Sequence, residues 1–131
     1  MELAGVLETV VYCTTENEAE TRRFYRDVLG LRPFSDESSG HRLGGGVFLL
    51  FNRDESLVQD WPPPHGASGP VHTCFLAAPG DYERWKNELT GKGVEIVNET
   101  TWDSGPRSFY FEDPAGNMLE IAEADMWPRK A

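Results

Sequence analysis

Basic residues are few in this chain. Twelve lysines and arginines stand against 22 aspartates and glutamates in 131 residues, a formal net charge of −10. Nucleic acids and anionic membrane surfaces attract basic footprints, so the composition argues against both as partners. Long apolar runs are missing too. The longest, VFLLF at 47–51, has the length of a strand and falls far short of the ~20 residues a membrane helix requires. The amino terminus, MELAGVLETV, has neither the basic start nor the apolar stretch of a secretory signal, and a cytoplasmic location is the expectation. Cysteine is nearly absent. Cys13 and Cys74 sit singly in apolar, strand-like segments without CxxC spacing, which reads as two buried thiols rather than a disulfide.

What is present suits a folded globular chain. Hydrophobic residues make up 39%, enough for a core, and the length suits one domain over 1–131. The chain reads as two modules, about 1–58 and 70–131, joined by a linker at 59–69 where QDWPPPHGASG continues neither helix nor strand. In the first module, 6–13 is a Val- and Thr-rich strand. Thr15 and Glu18 have capping-box spacing, and Phe24, Tyr25, Val28 and Leu29 recur at helical spacing until Gly30. Short strands are expected at 31–34, 41–43 and 47–52. The second module repeats the order, with a strand at 71–77 and a helix marked by Tyr82, Trp85 and Leu89. Strands at 94–98, 107–112 and 118–123 follow. SGHR at 39–42 and SGPR at 104–107 support a duplication. The fold class is therefore α+β: two βαβββ modules forming a curved, cup-shaped mixed sheet with helices outside.

Alternate residues of a strand face opposite sides. In 118–122, Leu119 and Ile121 oppose Met118, Glu120 and Ala122. In 71–77, Thr73 and Phe75 oppose His72 and Cys74; in 8–13, Val11 and Cys13 oppose Glu8 and Tyr12. With Val11, Phe75, Leu119 and Ile121 packed on helices, Glu8, His72 and Glu120 all turn into the cup, one from each of three strands. One imidazole and two carboxylates suit a divalent ion such as Fe, Mn, Ni, Zn or Co, with positions left for water and substrate. Two carboxylates close together repel each other without such a cation. Singly, each has a plainer reading: a strand glutamate usually faces water, and a lone histidine is usually structural. Tyr12, Cys74 and Met118 share the cup face as substrate-pocket residues. Arg107 either holds an anionic substrate group or makes a salt bridge. Trp102 and Tyr110 are further candidate walls, Phe24 and Trp85 are helix-face core, and His41 and His65 are read as surface residues of Gly- or Pro-rich loops.

RRFYRDVLGL (22–31), GPVHTCFLA (69–77) and FEDPAGNMLEIA (111–122) resemble the first helix, fifth strand and last hairpin of the vicinal oxygen chelate superfamily. That superfamily groups glyoxalase I, bleomycin- and fosfomycin-resistance proteins, extradiol dioxygenases and methylmalonyl-CoA epimerase. The resemblance implies metal ligands on the first, fifth and eighth strands, the positions of Glu8, His72 and Glu120. Glu8 is preferred to Val10, which cannot ligate. It also implies a homodimer and a small oxygen-rich substrate whose neighbouring oxygens the metal takes, stabilising an oxyanion. Glu8 and Glu120 are then the candidate proton-transfer groups, in a lyase, isomerase or oxygenase. Three branches differ in their ligands. Extradiol dioxygenases and fosfomycin-type transferases carry histidine where Glu8 stands, and glyoxalase I carries a fourth ligand where aligning Gly46 with Gly116 puts Leu50. The other reading is a metal-free drug-binding protein of the bleomycin-resistance type. It accommodates the −10 charge but gives Glu8, His72 and Glu120 no role.

Overall fold

Val10, Val11 and Tyr12 fill the first strand, β1 (Glu8–Cys13), which pairs in parallel with β3 (Gly46–Asn52); β2 (Gly40–Leu43) completes a three-stranded sheet of order β1-β3-β2. Between β1 and β2 run α1 (Glu18–Arg23) and a π-helical turn at Phe24–Val28, and a short α2 (Arg53–Ser56) follows β3. These elements belong to a unit of residues Met1–Val71, and a second unit spans His72–Ala131. The second holds β4 (His72–Leu76), α3 (Tyr82–Gly91), β5 (Asn98–Thr101), β6 (Arg107–Glu112) and β7 (Met118–Ala122), in a sheet of order β4-β7-β6-β5. The coordinates are a computed structural model and describe residues 1–67 and 69–129. Both sheets are open and mixed, with the first and last strand of each unit side by side and parallel. This is the α+β class expected. Among the described residues, no helix is long and apolar enough to cross a membrane.

The second unit follows the βαβββ order. The first falls short of it by one strand, because the expected strand at 31–34 shrinks to a single bridge between Pro33 and His41. Proline has no N–H to give to a ladder, so pairing stops there. The strand expected at 94–98 lies further on, at Asn98–Thr101. Gly93 takes φ +82° and Val94 N–H closes onto the Leu89 carbonyl at 3.0 Å, so the preceding residues are used in leaving α3.

Three local expectations are corrected. The capping box does not form: Asn17 is the N-cap and Glu18 the first helical residue, while Thr15 N–H donates to Asp54 (2.9 Å) and Thr15 Oγ1 accepts from Asn52 (3.1 Å). The helix of RRFYRDVLGL loosens into a π turn, with Leu29 N–H bonded to the Phe24 carbonyl at 3.2 Å. Five-residue spacing lets Phe24, Tyr25 and Leu29 all turn inward. SGHR and SGPR are not equivalent, since Arg42 pairs with Val47 in the hairpin ahead of β3 whereas Arg107 opens β6 opposite Thr101. The linker residues 59–67 form neither helix nor strand and are tied to the first unit. His65 N–H donates to the Ser56 carbonyl (3.1 Å), Ser56 Oγ donates to the His65 carbonyl (2.6 Å), and Arg53 reaches the Ala67 carbonyl.

Each unit buries one face of its sheet. In the first, Val11, Phe48 and Leu50 are buried with Tyr25, whose ring centre lies 4.9 Å from that of Phe48. In the second, Phe109, Phe111, Leu119 and Ile121 are buried with Leu89 and Tyr82. Fully burying one such side chain contributes about 1.5–3 kcal/mol.

His41 is not the surface residue expected. It is 3% exposed, and its Nδ1–H donates to the Phe48 carbonyl at 3.1 Å. Burial, aided by the charge of Arg22 and opposed by the Phe48 bond, holds its pKa below 6.5. The unfolded chain therefore takes up this proton first, so stability is full above pH 6.5 and falls as pH drops toward the depressed folded value. Urea titrations at pH 7 and pH 5.5 should show a lower midpoint at the acid pH. His41→Asn, which keeps a donor for Phe48, should flatten that difference; an unchanged difference would exclude His41 as its source.

Candidate functional site

Strand parity holds where the site is concerned. Residues opposite one another in register share a face, and His72–Met118 and Cys74–Glu120 are register pairs of β4 and β7. Leu119 and Ile121 are buried on the other face. Glu120 thus projects from the face opposite the packed core, yet it is only 3% exposed. Its Oε1 lies 3.2 Å from His72 Nε2; its Oε2 is buried, makes no hydrogen bond of good geometry, and has the Cys74 thiol and Tyr110 hydroxyl as neighbouring donors.

The protonation of His72 follows from its other nitrogen. Nδ1 lies 2.8 Å from the Met118 carbonyl, which can only accept, so Nδ1 carries the hydrogen. In the neutral ring Nε2 is then a bare lone pair facing a carboxyl oxygen. Two acceptors at this separation repel unless a proton or a metal cation sits with them. A histidine that donates one N–H to a carbonyl and keeps the other nitrogen bare is the arrangement found in metal ligands. The burial of the Glu120 carboxylate points to the same need. The pair therefore fits two positions of a divalent-metal centre.

The remaining predicted residues are placed as follows. Cys74 is exposed rather than buried. Even so, desolvation around its sulfur, followed by the neighbouring Glu120 charge, pushes the thiol up to about 12, so it stays protonated. Tyr110 pairs with Glu120 across β6 and β7, and its ring lies nearly parallel to that of His72 at 6.1 Å and 22°. Burial first, then Glu120, raises its pKa. Met118 lines an open groove with Trp102 and Tyr110. Arg107 forms the salt bridge of its second reading: its guanidinium donates to Glu123 and to Glu83 (2.7 Å), and lies over the Tyr82 ring.

Glu8 and Tyr12 belong to the other unit. Glu8 opens β1 opposite Val47 and is exposed. Tyr12 and His65 Nδ1 are hydrogen-bonded at 2.8 Å, so His65 is half-buried on β1 and not a free surface group. Among the described residues, no group of three or more His, Cys, Asp and Glu side chains is arranged to hold a metal. Burial also corrects the fourth-ligand comparison. Leu50 is core at 1% exposure, as Leu119 and Ile121 are core in the second unit, so it is not the counterpart of Glu120, which lies on the other face.

Sequence reasoning overlooked Asn98 and Thr100, which line the groove, because β5 was expected too early. The β-branched Thr100–Thr101 pair was the available signal.

A family model described as the glyoxalase/bleomycin resistance protein/dioxygenase superfamily matches residues 10–121. That range contains His72 and Glu120 and begins after Glu8. Glutathione transferase FosA of Serratia marcescens is 29% identical over 109 residues, 82% of this chain and 74% of that protein. The crystal structure of lactoylglutathione lyase from Agrobacterium tumefaciens aligns with a TM-score of 0.86 and 30% identity, over 98% of this chain and 100% of that one. A glyoxalase/bleomycin resistance protein/dioxygenase from Nocardioides shares the fold at TM-score 0.69 and 18% identity, over 93% of this chain and 84% of that one.

Proposed function

Because this chain belongs to the glyoxalase/bleomycin resistance protein/dioxygenase superfamily, we propose that it is a divalent-metal-dependent enzyme acting on a small oxygen-rich substrate. His72 and Glu120 hold the metal, and Glu8 completes the ligand set from the same chain or from a second copy in a homodimer. The single-domain reading, two modules making one cup, is part of the same proposal. The observation that carries it is His72 Nε2 lying 3.2 Å from a carboxylate oxygen of the buried Glu120 while Nδ1 is engaged by the Met118 carbonyl.

A bound divalent ion would act as a Lewis acid, polarising a substrate oxygen and stabilising developing negative charge. The chain's own groups do the rest. The Met118 carbonyl fixes the His72 ring, Tyr110 covers one side of that ring, and Glu120 is the buried group available to move a proton at a carbon or oxygen next to it. The relatives named a lyase and a transferase favour lyase or transfer chemistry over oxygen activation.

Metal analysis of the purified protein tests this directly. Growth in medium supplemented with Mn, Fe, Co, Ni or Zn should give close to stoichiometric binding of one of them. Less than roughly a fifth of that, with no gain on reconstitution, would leave the metal-free binding-protein reading in its place.

A further inference from the structure

Glu120 stands on the face of its sheet opposite the packed core, and yet it is 3% exposed. What covers it follows from the strand order β4-β7-β6-β5. Tyr110 belongs to β6 and His72 to β4, and β7 lies between them. Their rings are nevertheless 6.1 Å apart and 22° from parallel, inside the range of an offset stack. Strands separated by one other stand roughly 10 Å apart. The two rings close that interval only by leaning toward each other over β7. The β7 residue in the Tyr110 row is Glu120. The stack is a roof over the carboxylate.

Under the roof the two carboxyl oxygens have different surroundings. Oε1 lies 3.2 Å from His72 Nε2. Beside Oε2 are two donors, the Tyr110 hydroxyl from β6 and the Cys74 thiol from β4. Register agrees, since Cys74, Glu120 and Tyr110 form one row across the three strands. The two donors are unequal. A phenol O–H donates strongly and a thiol S–H weakly, and the Cys74 thiol has another acceptor in the Phe75 carbonyl at 3.7 Å. Oε2 itself makes no hydrogen bond of good geometry. It is the oxygen left for Tyr110 once Oε1 takes a metal beside His72.

We infer that Tyr110 is a positioning residue of the centre: its hydroxyl takes the second oxygen of Glu120 and leaves the metal only the first. Glu120 then binds through one oxygen, and a coordination position stays open for water or a substrate oxygen. The inference rests on the metal-centre reading above. A carboxylate without such a partner is free to chelate a divalent ion with both oxygens. Hydrogen bonds to ligating carboxylates are the ordinary means of orienting them.

X-ray absorption and visible spectra of the cobalt(II)-loaded protein test this. Tyr110→Phe keeps the roof and removes the hydroxyl. It should take up cobalt in the wild-type ratio, with Glu120 now bound through both oxygens. One oxygen is added at bonding distance, and visible absorption per cobalt falls about twofold as the coordination number rises. Cys74→Ala should leave both spectra unchanged. Tyr110→Met, which lacks ring and hydroxyl, serves where Tyr110→Phe fails to fold. Spectra unchanged in the Tyr110 variants, or altered equally by Cys74→Ala, would overturn the inference. The Glu120 carboxyl carbon resonance of the metal-free protein separates it from the reading it rests on. A resonance that moves in Tyr110→Phe but not in Cys74→Ala, in a protein that takes up no cobalt, leaves the Tyr110 contact standing and removes the metal centre. Normal cobalt uptake with a fixed resonance and fixed spectra does the reverse.

Discussion

Glu120→Gln should abolish metal binding and at the same time raise the stability of the metal-free protein. The two effects have one cause. Glu120 is 3% exposed, one of its oxygens makes no hydrogen bond of good geometry, and the other faces His72 Nε2 at 3.2 Å. A buried polar atom left unpaired costs about 1–3 kcal/mol. Glutamine keeps the shape, removes the charge, and brings an N–H₂ that can donate to His72 Nε2. The metal-free variant should melt a few degrees above wild type, on the order of 1–3 kcal/mol more stable. Metal affinity should fall by at least about 100-fold, more than the loss expected for a group behind a ligand. His72→Ala should lose metal equally, without the gain in stability. Thermal melts with and without added metal read both quantities. If Glu120→Gln instead lowers the metal-free melting temperature, the pair is a structural salt bridge with a protonated His72, and the metal assignment fails. Unchanged metal content in both variants would refute the site as well.

Asp113→Ala should cause the largest loss of stability at any polar position near the site. Asp113 is 4% exposed and ties the turn before β7 to itself. Its Oδ1 accepts from the backbone N–H groups of Ala115 and Asn117, both at 2.9 Å, and its Oδ2 accepts from Asn117 Nδ2 at 2.8 Å. Gly116, at φ +83°, completes the turn with its N–H on the Asp113 carbonyl. Alanine would leave three donors without their acceptor, two of them on a buried asparagine. The expected cost is about 3–5 kcal/mol, roughly 10 °C or more in melting temperature. The turn also sets where β7 begins, and with it the register that faces Glu120 toward His72. Metal affinity should therefore fall in the variant even at temperatures where it remains folded. Asp113→Asn, which keeps one acceptor oxygen, should recover part of both losses. A full-affinity Asp113→Ala protein would show that β7 is aimed by the sheet alone.

The turn, the strand and the parity of MLEIA were all legible before any coordinates. DPAGN is a turn from its residue types, and alternation along the strand assigns Leu119 and Ile121 to the core and Glu120 to the opposite face. The same reasoning placed His72 beside it, and the pairing of β4 with β7 sets them 3.2 Å apart. The fold class was readable for the same reason: strand period and helix period are local properties of sequence. Local signals failed where a distant partner outweighed them. Thr15 looks like half of a capping box, yet its groups are taken by Asn52 and Asp54, which are 37 and 39 residues away in sequence. His41 sits next to a glycine and looks exposed, but pairing with β3 buries it.

What the sequence determined by itself is the set of residue types and the face on which each lies, because side-chain alternation needs no knowledge of neighbours. What only the tertiary structure decided is how those side chains are protonated, tethered and paired. The Met118 carbonyl chooses the His72 tautomer, burial leaves a Glu120 oxygen without a hydrogen bond of good geometry, and Ser108 fixes the Trp102 plane. These depend on which strand lies beside which and in what register. That is settled by hydrogen bonds between segments far apart in the chain, and no local pattern of residues encodes them.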